Sequence, residues 1–157
     1  MDMVFLQLLV GASVMANAVI YGIDICAGVI MRPVYAGVDD ATMTVMAGRG
    51  HHYGDKRLPV VGITGFVTAI AATIGNLVTD HIPAAVFGAV AVIALTLWLV
   101  LYARGAKPIN SRQKEAALSG VIPADARQLQ NRWDAMVPTR ITLQTVALAA
   151  LIGALAI

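Results

Sequence analysis

Four apolar stretches, each long enough to cross a bilayer, divide this chain and leave little room for any other architecture. They run from Val4 to about Ile30, Leu58 to Val78, Pro83 to Tyr102 and about Val137 to Ile157. A spanning helix needs about 20 mostly apolar residues, and each stretch supplies them. The first exceeds that need, so it is expected to tilt or to project beyond the hydrocarbon. Backbone N–H and C=O groups in lipid need partners within their own segment, which makes the spans helical. The chain therefore reads as all-α: a four-transmembrane-helix bundle, one integral membrane domain over residues 1–157, with short interfacial helices in its two long loops. Composition agrees, because only 13% of residues are charged. Soluble domains carry roughly 25%, so this chain is too poor in charge to cover a water-facing surface.

The connections are unequal. Thr79 to Ile82 forms a tight hairpin between spans two and three, with Pro83 in the first helical turn, where its missing N–H costs nothing. Met31 to Arg57 and Ala103 to Met136 are long. The first long loop holds Arg32, Arg49, Lys56 and Arg57, and the second holds Arg104, Lys107, Arg112, Lys114, Arg127 and Arg132. Arg140, just inside span four, completes the 11 basic residues, and the hairpin and both ends have none. By the positive-inside rule the two long basic loops are cytoplasmic and both termini lie outside, in a multi-pass protein of the cell membrane. The basic residues are topology signals beside anionic lipid rather than contacts to nucleic acid. Trp98, Tyr102 and Trp133 fall near the same boundary, where an aromatic belt is expected. Val4 to Val14 is apolar, but Asp2 stands where a secretory signal would carry Lys or Arg, so this segment is expected to be a retained first span.

Within the loops, Asp39 to Ala47 is expected to form a short helix with acids in its first turn, ended by Gly48-Arg49-Gly50. Asn110 or Ser111 can cap a second helix through about Leu118, broken at Ser119-Gly120. A third starts near Pro123, with Ala126, Leu129 and Trp133 on one face.

Polar groups inside spans point to function or to helix–helix adhesion, since each must face protein or water. On span one, Ser13, Asn17, Tyr21 and Asp24 lie within a sector of about 80°. That stripe is either hydrogen-bonding glue between helices or one wall of a substrate cavity. Asp24 lies about 30 Å along the helix from Val4, near the basic boundary. Arg140 and Gln144 share a face of span four; Arg140 either snorkels to the interface or pairs with Asp24. Gly48 to Arg57 packs His51, His52, Tyr53 and Asp55 into an expected tight turn before span two. Imidazole shuttles protons or ligates metals near neutral pH. A metal there would need Asp39, Asp40, Asp55, Met43 or Met46 as well, and no spacing demands one, so no metal site is assigned. No cofactor is required either, though the histidines and methionines leave room for a haem or a metal ion. The lone Cys26 excludes an intrachain disulfide and reads as a small apolar residue. Phosphate-binding loops, nucleophile elbows and dinucleotide fingerprints are absent.

Three local features resemble the anthrone-oxygenase-like family, small four-helix integral membrane proteins grouped as a domain of unknown function. Span one is rich in Gly and Ala and ends in Gly28-Val29-Ile30-Met31-Arg32-Pro33-Val34; Pro108-Ile109-Asn110 is similar to the family's Pro-x-Asn motif; and Asn131-Arg132-Trp133 with Arg140 downstream is similar to its Arg-Trp motif. The likeness in layout covers the whole chain. It implies a membrane-bound oxidoreductase of the cofactor-independent oxygenase kind that oxidises a lipophilic phenolic or quinol-like molecule with dioxygen. Asp24, His51 and His52 would then be the catalytic candidates, and Asn17, Tyr21, Asn110, Arg132, Trp133 and Arg140 the substrate-binding ones. Where the family commonly has His between the Arg-Trp pair and the downstream Arg, this chain has Val137. Either His51 or His52 takes over the proton, or the chemistry differs or is lost. The rival reading is a non-catalytic accessory subunit of a larger membrane complex or a homo-oligomer, which small size and Gly/Ala-rich helix faces fit equally well.

Overall fold

The computed structural model describes residues 2–157. Four helical rods long and apolar enough to cross a membrane, Met3–Ala36, Asp40–Val78, Ile82–Ser119 and Ala126–Ala156, make an all-α four-helix bundle and a multi-pass membrane protein. Six α-helices build them: α1 (Met3–Ile25), α2 (Arg32–Ala36), α3 (Asp40–Val78), α4 (Ile82–Leu101), α5 (Lys107–Ser119) and α6 (Ala126–Leu155). Single π-helical segments, Cys26–Met31 and Tyr102–Ala106, join α1 to α2 and α4 to α5. Each precedes a proline, Pro33 or Pro108. A proline lacks its N–H and crowds the carbonyl four residues back. The ladder opens there to the wider i→i+5 pattern, so the rod continues without breaking.

The expected short interfacial helices are instead extensions of the spans. Asp39 does cap a helix, accepting the Thr42 N–H at 2.9 Å and the Thr42 hydroxyl at 2.7 Å. That helix does not stop at Gly48-Arg49-Gly50, however, and runs unbroken to Val78. Gly48 is a point of close approach: a Cβ there would collide with the Gln113 carbonyl oxygen of α5. Packing of α3 against α5 thus overrides a glycine penalty of about 1 kcal/mol, and the expected tight turn at 48–57 is helix. Asn110 does not cap α5, which continues directly from the π-helical turn. The last loop helix and span four are one helix, α6, although Ser119-Gly120 breaks α5 as expected, with Gly120 left-handed at φ 76°. At the opposite end, Asp80 takes φ 58° in the turn between α3 and α4, a conformation Asp tolerates.

In the bundle α1 packs on α3 and α6, and α4 packs on the same two helices. The core is dominated by alanine: Ala69, Ala72, Ala91, Ala94 and Ala147 sit among Val10, Leu95 and Leu151. Small side chains let helix backbones approach closely, the main source of cohesion where lipid removes the hydrophobic drive. Large apolar residues such as Leu8, Met15, Val60 and Val78 face outward, to lipid. At the basic end a second cluster, Ala106, Ile109, Leu129, Trp133 and Val137, locks α5 against α6.

Candidate functional site

Five of the candidate residues gather at the basic end, where α1, α3, α4, α5 and α6 converge. Asp24 of α1 and Arg140 of α6 form a buried ion pair at 2.5 Å, with side chains 1% and 8% exposed. Of the two readings open for Arg140, pairing therefore holds. The second Asp24 oxygen accepts the Trp98 indole N–H at 2.9 Å. The Arg140 guanidinium lies 5.2 Å from the ring centres of both Trp98 and Trp133. Indole faces carry negative electrostatic potential, so two of them clamp one cation. The two tryptophans thus form a cage, with Trp133 buried and Trp98, like Tyr102, half-buried. Trp133 is oriented by its N–H, donated to Asn110 Oδ1 at 2.8 Å, and Trp98 stacks on Tyr102 at 5.7 Å.

His51 reaches the same cage from α3. Its ring lies 5.6 Å from that of Trp133, and its Nε2 is 3.0 Å from Gln113 Oε1. Gln113 donates through its own amide to Gln130 Oε1 at 2.9 Å, and Gln130 donates to Asp134 Oδ1 at 2.8 Å. That direction fixes Gln113 Oε1 as acceptor, hence His51 Nε2 as donor and Nδ1 as the basic nitrogen of the neutral ring. The relay threads α3, α5 and α6. Beside it, Asp55 accepts from the Tyr102 hydroxyl and from Lys114, each at 3.2 Å.

Two atoms of this region stand out. Arg140 Nε and Gln144 Oε1 are buried with no hydrogen-bond partner among the described residues, a donor and an acceptor one helical turn apart. Orphaned polar atoms in a buried site are costly, roughly 1–3 kcal/mol each, and call for explanation.

The structure brings together Asp24, His51, Asn110, Trp133 and Arg140 of the residues singled out in sequence, and separates the others. Arg132, next to Trp133, points about 100° away and is exposed. His52 faces Lys56 at 2.9 Å and Tyr53, away from the cage. Asn17 sits two turns from Asp24, hydrogen-bonded to the Ser13 carbonyl at 2.9 Å, while Ser13 binds the Gly65 carbonyl at 2.7 Å. This knot is glue between α1 and α3. Tyr21 is half-buried between the knot and the ion pair, with no hydrogen bond through its hydroxyl among the described residues. Val137 packs in the apolar cluster beneath Trp133 and against Gly28. Gln113, Gln130 and Asp134 escaped sequence reasoning because polar residues in a polar stretch give no sign of burial; only the i, i+4 spacing of Gln130 and Asp134 was legible.

Fold and site together define a class: a four-helix integral membrane protein with a caged Asp–Arg pair and an adjoining His–Gln–Gln–Asp relay at its basic end. No family model matches the chain, and neither a curated protein nor a solved structure similar to it was found.

Proposed function

We propose that the protein is a membrane-embedded, anthrone-oxygenase-like oxidoreductase acting on a flat, lipophilic phenol or quinol-like molecule with dioxygen, without a resident cofactor. The observation that carries this reading is the orphaned pair, Arg140 Nε and, one turn along α6, Gln144 Oε1, with Arg140 bound to Asp24 and held in the cage that His51 adjoins. One phenolic oxygen can satisfy both, accepting from Arg140 Nε while donating its proton toward Gln144 Oε1. The substrate ring takes the place of one indole against the guanidinium. For an anthrone, the CH₂ between two aromatic rings loses a proton to a base, with His51 Nδ1, on the ring beside Trp133, as the neutral candidate. Negative charge then develops on the oxygen facing Arg140, where a preorganised cation in a dry site stabilises it. Electrons pass from the carbanion to dioxygen, and CH₂ plus O₂ becomes C=O plus H₂O. Asn110 acts here as a positioning residue for Trp133.

The basic end is placed on the cytoplasmic side, with both termini outside, from the distribution of Lys and Arg. A C-terminal reporter active only outside the cell is the expected result; activity inside reverses the orientation.

The test of function is oxygen uptake and anthraquinone absorbance with the purified protein, against the spontaneous rate. Turnover above that rate is expected, with kcat/KM reduced in Gln144→Leu and His51→Gln proteins that retain their helical circular dichroism. A rate equal to the protein-free control refutes the reading. The rival, an accessory subunit, is favoured by one observation: apart from the two orphans, the buried polar side chains of the cage find partners inside the bundle, as adhesive groups do. Absence of turnover together with a stoichiometric assembly with other polypeptides supports the subunit.

A further inference from the structure

Arg132, excluded from the cage, belongs to a second feature. Where the π-helical turn Tyr102–Ala106, α5 and α6 meet, Arg104, Arg112 and Arg132 surround a groove of about 360 Å³. Its floor is apolar, formed by Ile109, Leu129 and Met136. The depth depends on Gly105, since a Cβ at that position would collide with the Met136 sulfur. Arg112 is held by Asp125 through two hydrogen bonds, of 3.0 and 2.9 Å. Arg104 and Arg132 form no ion pair among the described residues and are exposed. The rim therefore carries two guanidinium groups with no direct ion-pair partner among the described residues and a third with its partner.

The position of the groove selects its occupant. Arg104 lies in the π-helical turn immediately beyond α4, and Met136 immediately precedes the apolar part of α6. The rim thus stands at headgroup level, and the floor continues toward the hydrocarbon. Guanidinium groups recognise phosphate oxygens with paired N–H donors. An anionic surface attracts basic residues at that depth. A floor of aliphatic side chains suits the glycerol and first methylenes of a lipid, and a free phosphate would leave that floor uncovered. The volume lies within the range of small-molecule sites, about 300–1,000 Å³.

We propose that this groove binds the phosphate headgroup of an acidic phospholipid, with Arg104 and Arg132 on the phosphate and Arg112 completing the rim. The site is independent of the oxidoreductase reading.

The experiment is native mass spectrometry of the detergent-purified protein, titrated in separate arms with phosphatidylglycerol, phosphatidylcholine and inorganic phosphate. Phosphatidylglycerol should bind in one-to-one complexes at least about tenfold tighter than phosphatidylcholine, whose positive choline meets the arginine rim. The Arg104→Gln/Arg132→Gln protein should lose about tenfold or more of that affinity. The Arg49→Gln/Arg57→Gln protein, which loses the same charge on α3, should keep it. Both substitutions fall on exposed side chains, and an unchanged thermal midpoint confirms folding. Equal loss in the two double variants overturns the proposal in favour of diffuse attraction. Equal binding of the two lipids also overturns it, as does inorganic phosphate binding as tightly as phosphatidylglycerol.

Discussion

Replacing Arg140 with Met removes the cation from between Trp98 and Trp133 and leaves Asp24, 1% exposed, with a single hydrogen bond from Trp98. Breaking a buried ion pair from one side costs about 3–5 kcal/mol, because the remaining charge stays buried without its partner. Each lost cation–π face adds roughly 0.5–2 kcal/mol, while the surviving Trp98 bond offsets part of the loss, so the same range of about 3–5 kcal/mol is expected for Arg140→Met. At about 1.4 kcal/mol per decade, the folded-to-unfolded ratio falls between a hundredfold and several thousandfold. The Asp24→Leu/Arg140→Met double variant removes both charges and fills the space with methylenes. Such replacements are often neutral, so it should recover to within about 1–2 kcal/mol of the parent. A coupling energy of at least about 2 kcal/mol follows. The assay is equilibrium unfolding in mixed micelles of mild detergent and dodecyl sulfate, followed by circular dichroism and by tryptophan fluorescence. The chain has 2 Trp, Trp98 and Trp133, and both flank the pair, so the emission reports on this site. If Arg140→Met unfolds within about 0.5 kcal/mol of the parent, or the two single losses simply add, the ion pair does not hold the bundle as argued.

Three further outcomes are expected. Gly48→Ala should destabilise α3 by about 1–3 kcal/mol, because its Cβ meets backbone of α5 that cannot move aside, whereas Gly50→Ala, with open space around it, should stabilise by about 0.5–1 kcal/mol; thermal midpoints with the same sign at both positions contradict this. Gln113→Leu strands both His51 Nε2 and Gln130 Oε1 and should cost about 2–4 kcal/mol in the same unfolding assay. The hydrogen bonds from Arg112 hold the exposed Asp125 carboxyl below its ordinary value. A depressed folded pKa contributes stability above the unfolded value and loses it as pH falls through the folded one. The Arg112–Asp125 link should therefore release only in acid, seen as a chemical-shift step at Arg112 that is absent from Asp125→Asn.

Sequence alone determined the number of spans, their helical state and the clustering of charge at one end. These follow from properties local to a segment: about 20 apolar residues and a backbone with no water to bond to. The polar stripe of α1 was legible by its angular spacing, and with it the burial of Ser13, Asn17 and Asp24. The partners were not legible, because Asp24 and Arg140 are 116 residues apart and snorkelling would have served Arg140 equally well. The helix ends were misjudged for a related reason. Glycine at 48 and 50 breaks helices by local preference, yet α3 packs through Gly48 on α5, and π-helical turns carry the first and third rods past the ends expected for their spans. Tertiary structure alone decided that the loop segments are stacked onto the spans as extensions. That stacking carries His51, Asn110 and Gln113 over the end of the bundle to meet Trp133 and Arg140. It also turns Arg132, next to Trp133, to the other side of α6, since neighbours on a helix face directions about 100° apart.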